Sequence, residues 1–110
     1  MSIRADLIRG HTDAVILAPR VRRDSYGYEI NKTIESCSGG AFILKEATLY
    51  TAFRRLEDGG LISSYWGDET VGARRRYYRI TDAGRAAYRQ AREEWKNTAR
   101  ILDALLEDEA

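Results

Sequence analysis

The segment that most constrains what this chain can fold into is residues 45–80. Its first part repeats apolar residues with the period of one buried helix face. These residues are Leu49, Ala52, Phe53 and Leu56. Gly59 and Gly60 follow, and glycine ends helices readily because it adopts positive φ without a steric clash. Two β-prone runs then flank a loop of polar and small residues, so we predict a helix followed by a β-hairpin.

The surface of this predicted unit is polar and basic. The helix face opposite the apolar residues carries Thr48, Thr51, Arg54 and Arg55, and the returning hairpin strand is preceded and begun by Arg74, Arg75 and Arg76. A basic helix can enter the major groove of DNA, and a hairpin tip can reach the adjacent phosphates. Each feature alone is more typical of a solvated surface or a protected strand edge. Their order along the chain, however, favours a winged helix-turn-helix that binds duplex DNA.

The predicted DNA contacts divide into two groups. Those expected at the major groove are Thr48, Thr51, Arg54 and Arg55. Those expected at phosphates are Lys45 and Tyr50 on the helix and Arg74, Arg75 and Arg76 on the wing. The formal net charge is only +1, but residues 103–110 are acidic and the basic residues concentrate elsewhere. A local patch, rather than the total charge, sets phosphate affinity.

Composition excludes several other classes. Cys37 is the single cysteine, so an internal disulfide and a cysteine-rich metal site are excluded, and we expect a small buried residue there. His11, the single histidine, has no acid or nucleophile pattern around it, so we predict no enzyme and no cofactor. No signal-peptide pattern and no apolar run of about 18 residues occurs, which favours a cytoplasmic protein without membrane contact.

The N-terminal region is predicted to be one helix over residues 3–22. Apolar residues follow one helical face through it, and Val21 continues the pattern. Pro19 removes a backbone donor and crowds the preceding turn, so the helix must either kink or stop there, and we favour a kink.

Between this helix and the basic one, two further elements are expected. Residues 26–36 have the pattern of a helix, with Asp24 and Ser25 as a natural N-cap pair. Residues 41–44 are β-prone and favour a short edge strand that pairs with the hairpin. Within the hairpin we expect Trp66 to be a core residue.

The last helix is predicted to begin after Thr81 and Asp82 and to continue to about Glu107. Its apolar positions recur at steps of three and four residues, which is the narrow seam of a coiled coil. They are Tyr88, Ala91, Trp95, Thr98, Leu102 and Leu105. Such a helix needs a partner, and a second copy of the chain is the simplest one. The predicted fold is therefore α+β: a winged-helix domain over residues 1–80, whose N-terminal helix also contributes to the dimer, and a dimerisation helix over residues 81–110.

The motifs in this chain closely resemble those of PadR-family transcriptional regulators. They are GYEI at 27–30, ATLY at 47–50, YW at 65–66, the G-x-R-R-x-Y-Y return at 72–78 and the T-x-x-G helix entry at 81–84. The resemblance covers essentially the whole chain. With a single helix after the wing, the chain is most similar to the small subfamily, and within it to a regulator of multidrug resistance.

This resemblance implies a homodimeric repressor whose crossed last helices hold a planar aromatic effector between two tryptophans. Carried over by position, the tryptophan is Trp95. The residues implied to line the same space are Leu7, Asp13, Ala14, Ala91, Arg92 and Ala99. Trp95 could equally be packing in the dimer seam, and that alternative stays open. From another class of function, the alternative is a winged-helix module that binds proteins without specific DNA binding.

Overall fold

The computed structural model describes residues 3–18, 24–69 and 72–108 of the chain. In chain order the elements are α1 (Ala5–Ile8), α2 (Thr12–Leu17), β1 (Ser25–Tyr26), α3 (Gly27–Cys37), α4 (Glu46–Asp58), β2 (Ile62–Trp66), β3 (Arg76–Ile80) and α5 (Asp82–Leu105). Helices α2, α3 and α4 surround one hydrophobic core, which the sheet and the first turns of α5 close.

The predicted helix and hairpin of residues 45–80 are confirmed. Helix α4 buries the apolar face expected of it, and the ring of Phe53 stacks on that of Tyr78 in β3 at a centroid distance of 4.0 Å. Gly60 has a φ of 75°, the left-handed conformation that glycine adopts without a Cβ clash. The chain can therefore turn directly from α4 into β2, which fixes the hairpin against the helix.

The sheet has the antiparallel order β1-β3-β2, and its third strand is not the one predicted. Residues 41–44 form no strand, because the side chain of Asn31 takes both backbone groups of Leu44. It donates to the carbonyl oxygen at 2.6 Å and accepts from the N–H at 3.0 Å. Instead Ser25 and Tyr26, expected to precede and begin a helix, pair with β3. Helix α3 has no side-chain N-cap, so the predicted cap was wrong.

The prediction of a single N-terminal helix over residues 3–22 was also wrong. Gly10 has a φ of 92°, which no right-handed helix contains, and it separates α1 from α2. Helix α2 ends at Leu17, and Ala18 is extended with ψ 150°, as the residue before a proline commonly is. The predicted kink at Pro19 and the continuation through Val21 lie outside the described residues.

Helix α5 begins where the sequence predicted, since the Thr81 hydroxyl accepts the Gly84 N–H at 3.0 Å. Only its first turns pack on the core, through Ala87 and Tyr88. Beyond them the helix projects, and its apolar residues are exposed: Leu102 by 44% and Leu105 by 73%. The whole arrangement is a winged-helix fold with a long C-terminal helix, as the sequence predicted.

Candidate nucleic-acid interface

The outward face of α4 carries the predicted DNA contacts of this helix. The exposed residues on it include Thr48, Tyr50, Thr51, Arg54 and Arg55, and Lys45 is exposed at its start. With 3.6 residues per turn, Thr51 and Arg54 project near the middle of this face and Thr48 and Arg55 near one flank. Among the described residues, Lys45 and Arg54 have no ion-pair partner. The two side chains near the middle of this face, Thr51 and Arg54, are both polar.

One flank of α4 is tied to α2 by an ion pair. The Arg55 guanidinium donates through Nε to Asp13 Oδ2 at 3.3 Å and through a second nitrogen to Asp13 Oδ1. The hydrogen bond to Asp13, and to a smaller extent the attraction of its negative charge, raises the pKa of the Arg55 guanidinium. Thr12 of α2 lines a shallow depression together with Thr48, Thr51 and Arg55. Helix α2 thus forms one border of the outward face.

The other flank is tied to the wing, which is the hairpin of β2 and β3 with the loop between them. On α4, Glu57 accepts the hydroxyl of Ser64 in β2 and lies 3.7 Å from an Arg76 nitrogen in β3. Arg76 Nε also donates to Ser64 Oγ at 3.1 Å. Arg76, predicted as a phosphate contact, therefore holds the hairpin against α4.

The other two wing arginines also have internal partners. Arg74 Nε donates to the Gly67 carbonyl oxygen at 3.0 Å. Arg75 lies 3.9 Å from Glu69 and 4.6 Å over the ring of Tyr26. The pKa of Glu69 is lowered, first by its own backbone N–H and then by the Tyr77 hydroxyl and the N–H of Arg75. Both arginines stay exposed at the wing, and their guanidiniums retain further N–H groups for a ligand.

A cluster on the outer face of the sheet, formed by Asp24, Tyr65 and Arg79, was not predicted from the sequence. Asp24 accepts the Tyr65 hydroxyl at 2.7 Å and Arg79 Nε at 3.2 Å. The Tyr65 hydrogen bond, followed by Arg79, lowers the pKa of the Asp24 carboxyl. Asp24 was predicted as a helix cap, and no local pattern indicated partners that are 41 and 55 residues away in the chain.

Two aromatic residues near α4 also differ from simple expectation. Trp66 was predicted in the hairpin core, but 55% of it is exposed. Tyr50 is partly covered by the start of α3: a Cβ added at Gly27 would lie 2.5 Å from the Tyr50 hydroxyl oxygen. A larger residue at position 27 would therefore have to displace the Tyr50 side chain.

A second candidate site is a groove of about 360 Å³ between the N-terminal helices and α5. The predicted effector residues that line it are Leu7, Ala14, Ala91, Arg92 and Trp95. His11 also lines it and contacts Trp95 edge to face, with 5.1 Å between ring centroids. Mostly apolar walls with one guanidinium are typical of a groove that binds a small organic molecule.

Two other predicted effector residues lie elsewhere. Asp13 pairs with Arg55 instead of lining the groove, because it projects from α2 towards α4. Ala99 lies one helical turn beyond Trp95 and is not among the groove residues. Cys37, expected to be buried, is exposed. Among the described residues, no helix combines the length and the apolar character that crossing a membrane requires.

The sequence model of the transcriptional regulator PadR-like family matches residues 16–90 of the chain. An uncharacterized protein of Lysinibacillus sphaericus is 43% identical over 105 residues, which is 96% of each chain.

Solved structures resemble the whole fold. The structure of a transcriptional regulator from Clostridium thermocellum superimposes with a TM-score of 0.84 at 46% identity, covering 94% of this chain and 100% of that one. A PadR-family transcriptional regulator from Eggerthella lenta gives a TM-score of 0.81 at 32% identity, covering 94% and 88%. A PadR-family regulator from Clostridium difficile gives 0.75 at 35% identity, covering 88% and 99%.

Proposed function

The chain belongs to the PadR-like family of transcriptional regulators, and we propose that it is a cytoplasmic repressor that binds operator DNA as a homodimer. The observation that carries this proposal is the outward face of α4. Thr51 and Arg54 project there between two flanks that ion pairs hold to α2 and to the wing. A helix fixed on both sides presents its central side chains to a groove with little loss of side-chain and backbone freedom on binding.

The proposed contacts separate reading from positioning. Thr51 and Arg54 meet base edges in the major groove, where a guanidinium can donate two hydrogen bonds to guanine. Thr48 and Arg55 contact the groove at the α2 flank, Lys45 a phosphate at the start of α4, and Tyr50 a phosphate on the α3 side. The wing arginines Arg74, Arg75 and Arg76 give their remaining N–H groups to backbone oxygens, which fixes register without reading sequence.

A second copy of the chain is the proposed partner of α5. This helix has 24 residues, and only its first turns pack on the hydrophobic core, while Leu102 and Leu105 near its end are exposed. Leu7 on α1 adds a further exposed apolar side chain. Residues 81–110 would then act as the dimerisation element of a DNA-binding domain formed by residues 1–80.

A planar aromatic effector is proposed to release the DNA by binding between the two copies of Trp95. Within one chain this indole is 48% exposed, and His11 contacts it only edge to face. The small side chains of Ala14 and Ala91 leave room beside the ring. Because α2 lines this groove and also holds Arg55, an occupant can alter the position of the reading helix.

The effector site is tested by fluorescence quenching with the neutral planar dye acridone in a Trp66→Phe background. The expected result is quenching of Trp95 at micromolar concentration in this background, and loss of acridone binding, followed through the emission of the dye itself, in a Trp95→Ala chain that is still a dimer. Quenching that persists at full strength in a Trp95→Ala chain retaining Trp66 would mean that Trp95 only packs in the seam.

DNA binding is tested with a labelled duplex from the region upstream of the protein's own gene. The logarithm of the affinity should fall linearly with the logarithm of salt concentration, by about 0.9 per phosphate contact. Footprinting should show half-sites separated by about 10 bp or a multiple of it. A chain that binds this duplex weakly and without salt dependence would instead be a protein-interaction module.

A further inference from the structure

Trp66 is an uncovered aromatic residue on the face of the hairpin that forms the core. The side chains alternating onto this face are Ile62, Ser64 and Trp66 from β2 and Arg76, Tyr78 and Ile80 from β3. At the end near α5 the two isoleucines are buried, whereas Trp66 at the opposite end is 55% exposed. Strand β2 therefore continues beyond the core, and its last residue on this face, Trp66, exposes its indole to solvent near the wing tip.

Two guanidiniums fix this ring. The Arg74 and Arg76 guanidinium carbons lie over it, 5.9 Å and 5.5 Å from its centroid. Each arginine is itself held, Arg74 by the Gly67 carbonyl oxygen and Arg76 by the Ser64 hydroxyl. Cation–π attraction to held cations orders an exposed ring. Trp66 is thus an exposed indole with two positive charges beside it.

The ring lies beside the outward face of α4. Arg76 contacts Trp66 on one side and Glu57 of α4 on the other, at 3.7 Å from the carboxylate. Glu57 is three residues after Arg54, and residues at that spacing are neighbours on a helix surface. Arg76 and Glu57 therefore connect Trp66 to the flank of α4 that lies next to Arg54.

We propose that Trp66 is a DNA contact whose ring packs on deoxyribose at the edge of the minor groove, next to the major groove that α4 enters. The inference rests on the proposed DNA-binding function. In a groove wall, apolar sugars alternate with phosphates, and an indole flanked by guanidiniums complements that alternation. Because the guanidiniums lie over the ring, its edge meets the wall and the ring does not stack between base pairs.

The test compares Trp66→Ala with Tyr65→Ala, which removes an aromatic side chain from the opposite face of the same strand. On the duplex from upstream of the protein's own gene, Trp66→Ala should weaken binding about tenfold and Tyr65→Ala by no more than about twofold. An apolar contact releases no counterions, so the salt slope of Trp66→Ala should equal that of the wild type. Thermal unfolding of both variants confirms that they are folded.

A direct readout is tryptophan emission. Adding the duplex should change the emission of the wild-type chain, and Trp66→Phe should remove that change. Unchanged affinity in folded Trp66→Ala, or a salt slope that falls as it does for a lost arginine, would overturn the inference while leaving the proposed function standing. A wild-type chain that binds no DNA would instead overturn the proposed function itself.

Discussion

Under the proposed function, neutralising Asp13 is expected to strengthen DNA binding, because its carboxylate competes with the DNA for Arg55. In the free chain this carboxylate accepts two guanidinium N–H groups from Arg55. DNA that binds at the α2 flank of α4 must replace Asp13 as the acceptor of these two N–H groups. The Asp13→Asn variant keeps the size of the side chain and removes the competing charge.

The magnitude follows from the exposure of the pair. The Arg55 side chain is 55% exposed and that of Asp13 42%, and exposed ion pairs contribute about 0–1 kcal/mol. Removing this competition should therefore increase DNA affinity by at most about fivefold. One additional uncompensated positive charge should also steepen the salt dependence by about 0.9. The stability lost is small for the same reason.

The assay is fluorescence anisotropy with a labelled duplex over a range of salt concentrations. The matched control is Asp6→Asn, which removes the same charge from an exposed pair on α1, where Arg9 lies 3.0 Å from Asp6. That control should leave the salt slope unchanged. Weaker binding by Asp13→Asn would refute the reasoning, because Asp13 would then orient Arg55 for DNA instead of competing for it.

Three further predictions concern assembly and folding. Changing Leu102 and Leu105 together to Lys should give monomers in sedimentation, and dimers of this variant would exclude the α5 seam. Gly27→Ala should destabilise the chain to urea, because the new Cβ meets the Tyr50 hydroxyl; unchanged stability would show that Tyr50 moves freely. The lowered pKa of Asp24 stabilises the fold above the unfolded-state value of about 4. The stability advantage of the wild type over Asp24→Asn should thus disappear as pH falls below that value, and a constant difference in urea titrations would contradict this.

The parts of the fold that the sequence predicted depend on local signals. The apolar period of α4, the positive φ at Gly60 and the Thr81 cap each act within a few residues, so the helix, the hairpin and the start of α5 were all predicted correctly. The polar outward face of α4 follows from the same period, because a helix that buries one face exposes the other.

The parts that were missed depend on contacts between distant segments. A glycine within an apolar period does not reveal whether it takes positive φ, as Gly10 does. In the β-prone run at 41–44, both backbone groups of Leu44 bond the side chain of Asn31, which is 13 residues away in the chain. The acidic partners of the arginines were overlooked for the same reason, since Asp13 and Arg55 are 42 residues apart.

The central claim, that α4 reads bases while the wing holds phosphates, is tested most directly by one comparison of DNA affinities. Arg54→Ala, Thr51→Ala and Arg75→Ala are each titrated against the duplex from upstream of the gene and against a random duplex. Arg54→Ala or Thr51→Ala should lose roughly 1–3 kcal/mol mainly on the upstream duplex. Arg75→Ala should weaken both duplexes equally and lower the salt slope by about one. Equal losses for all three variants on both duplexes would contradict the claim.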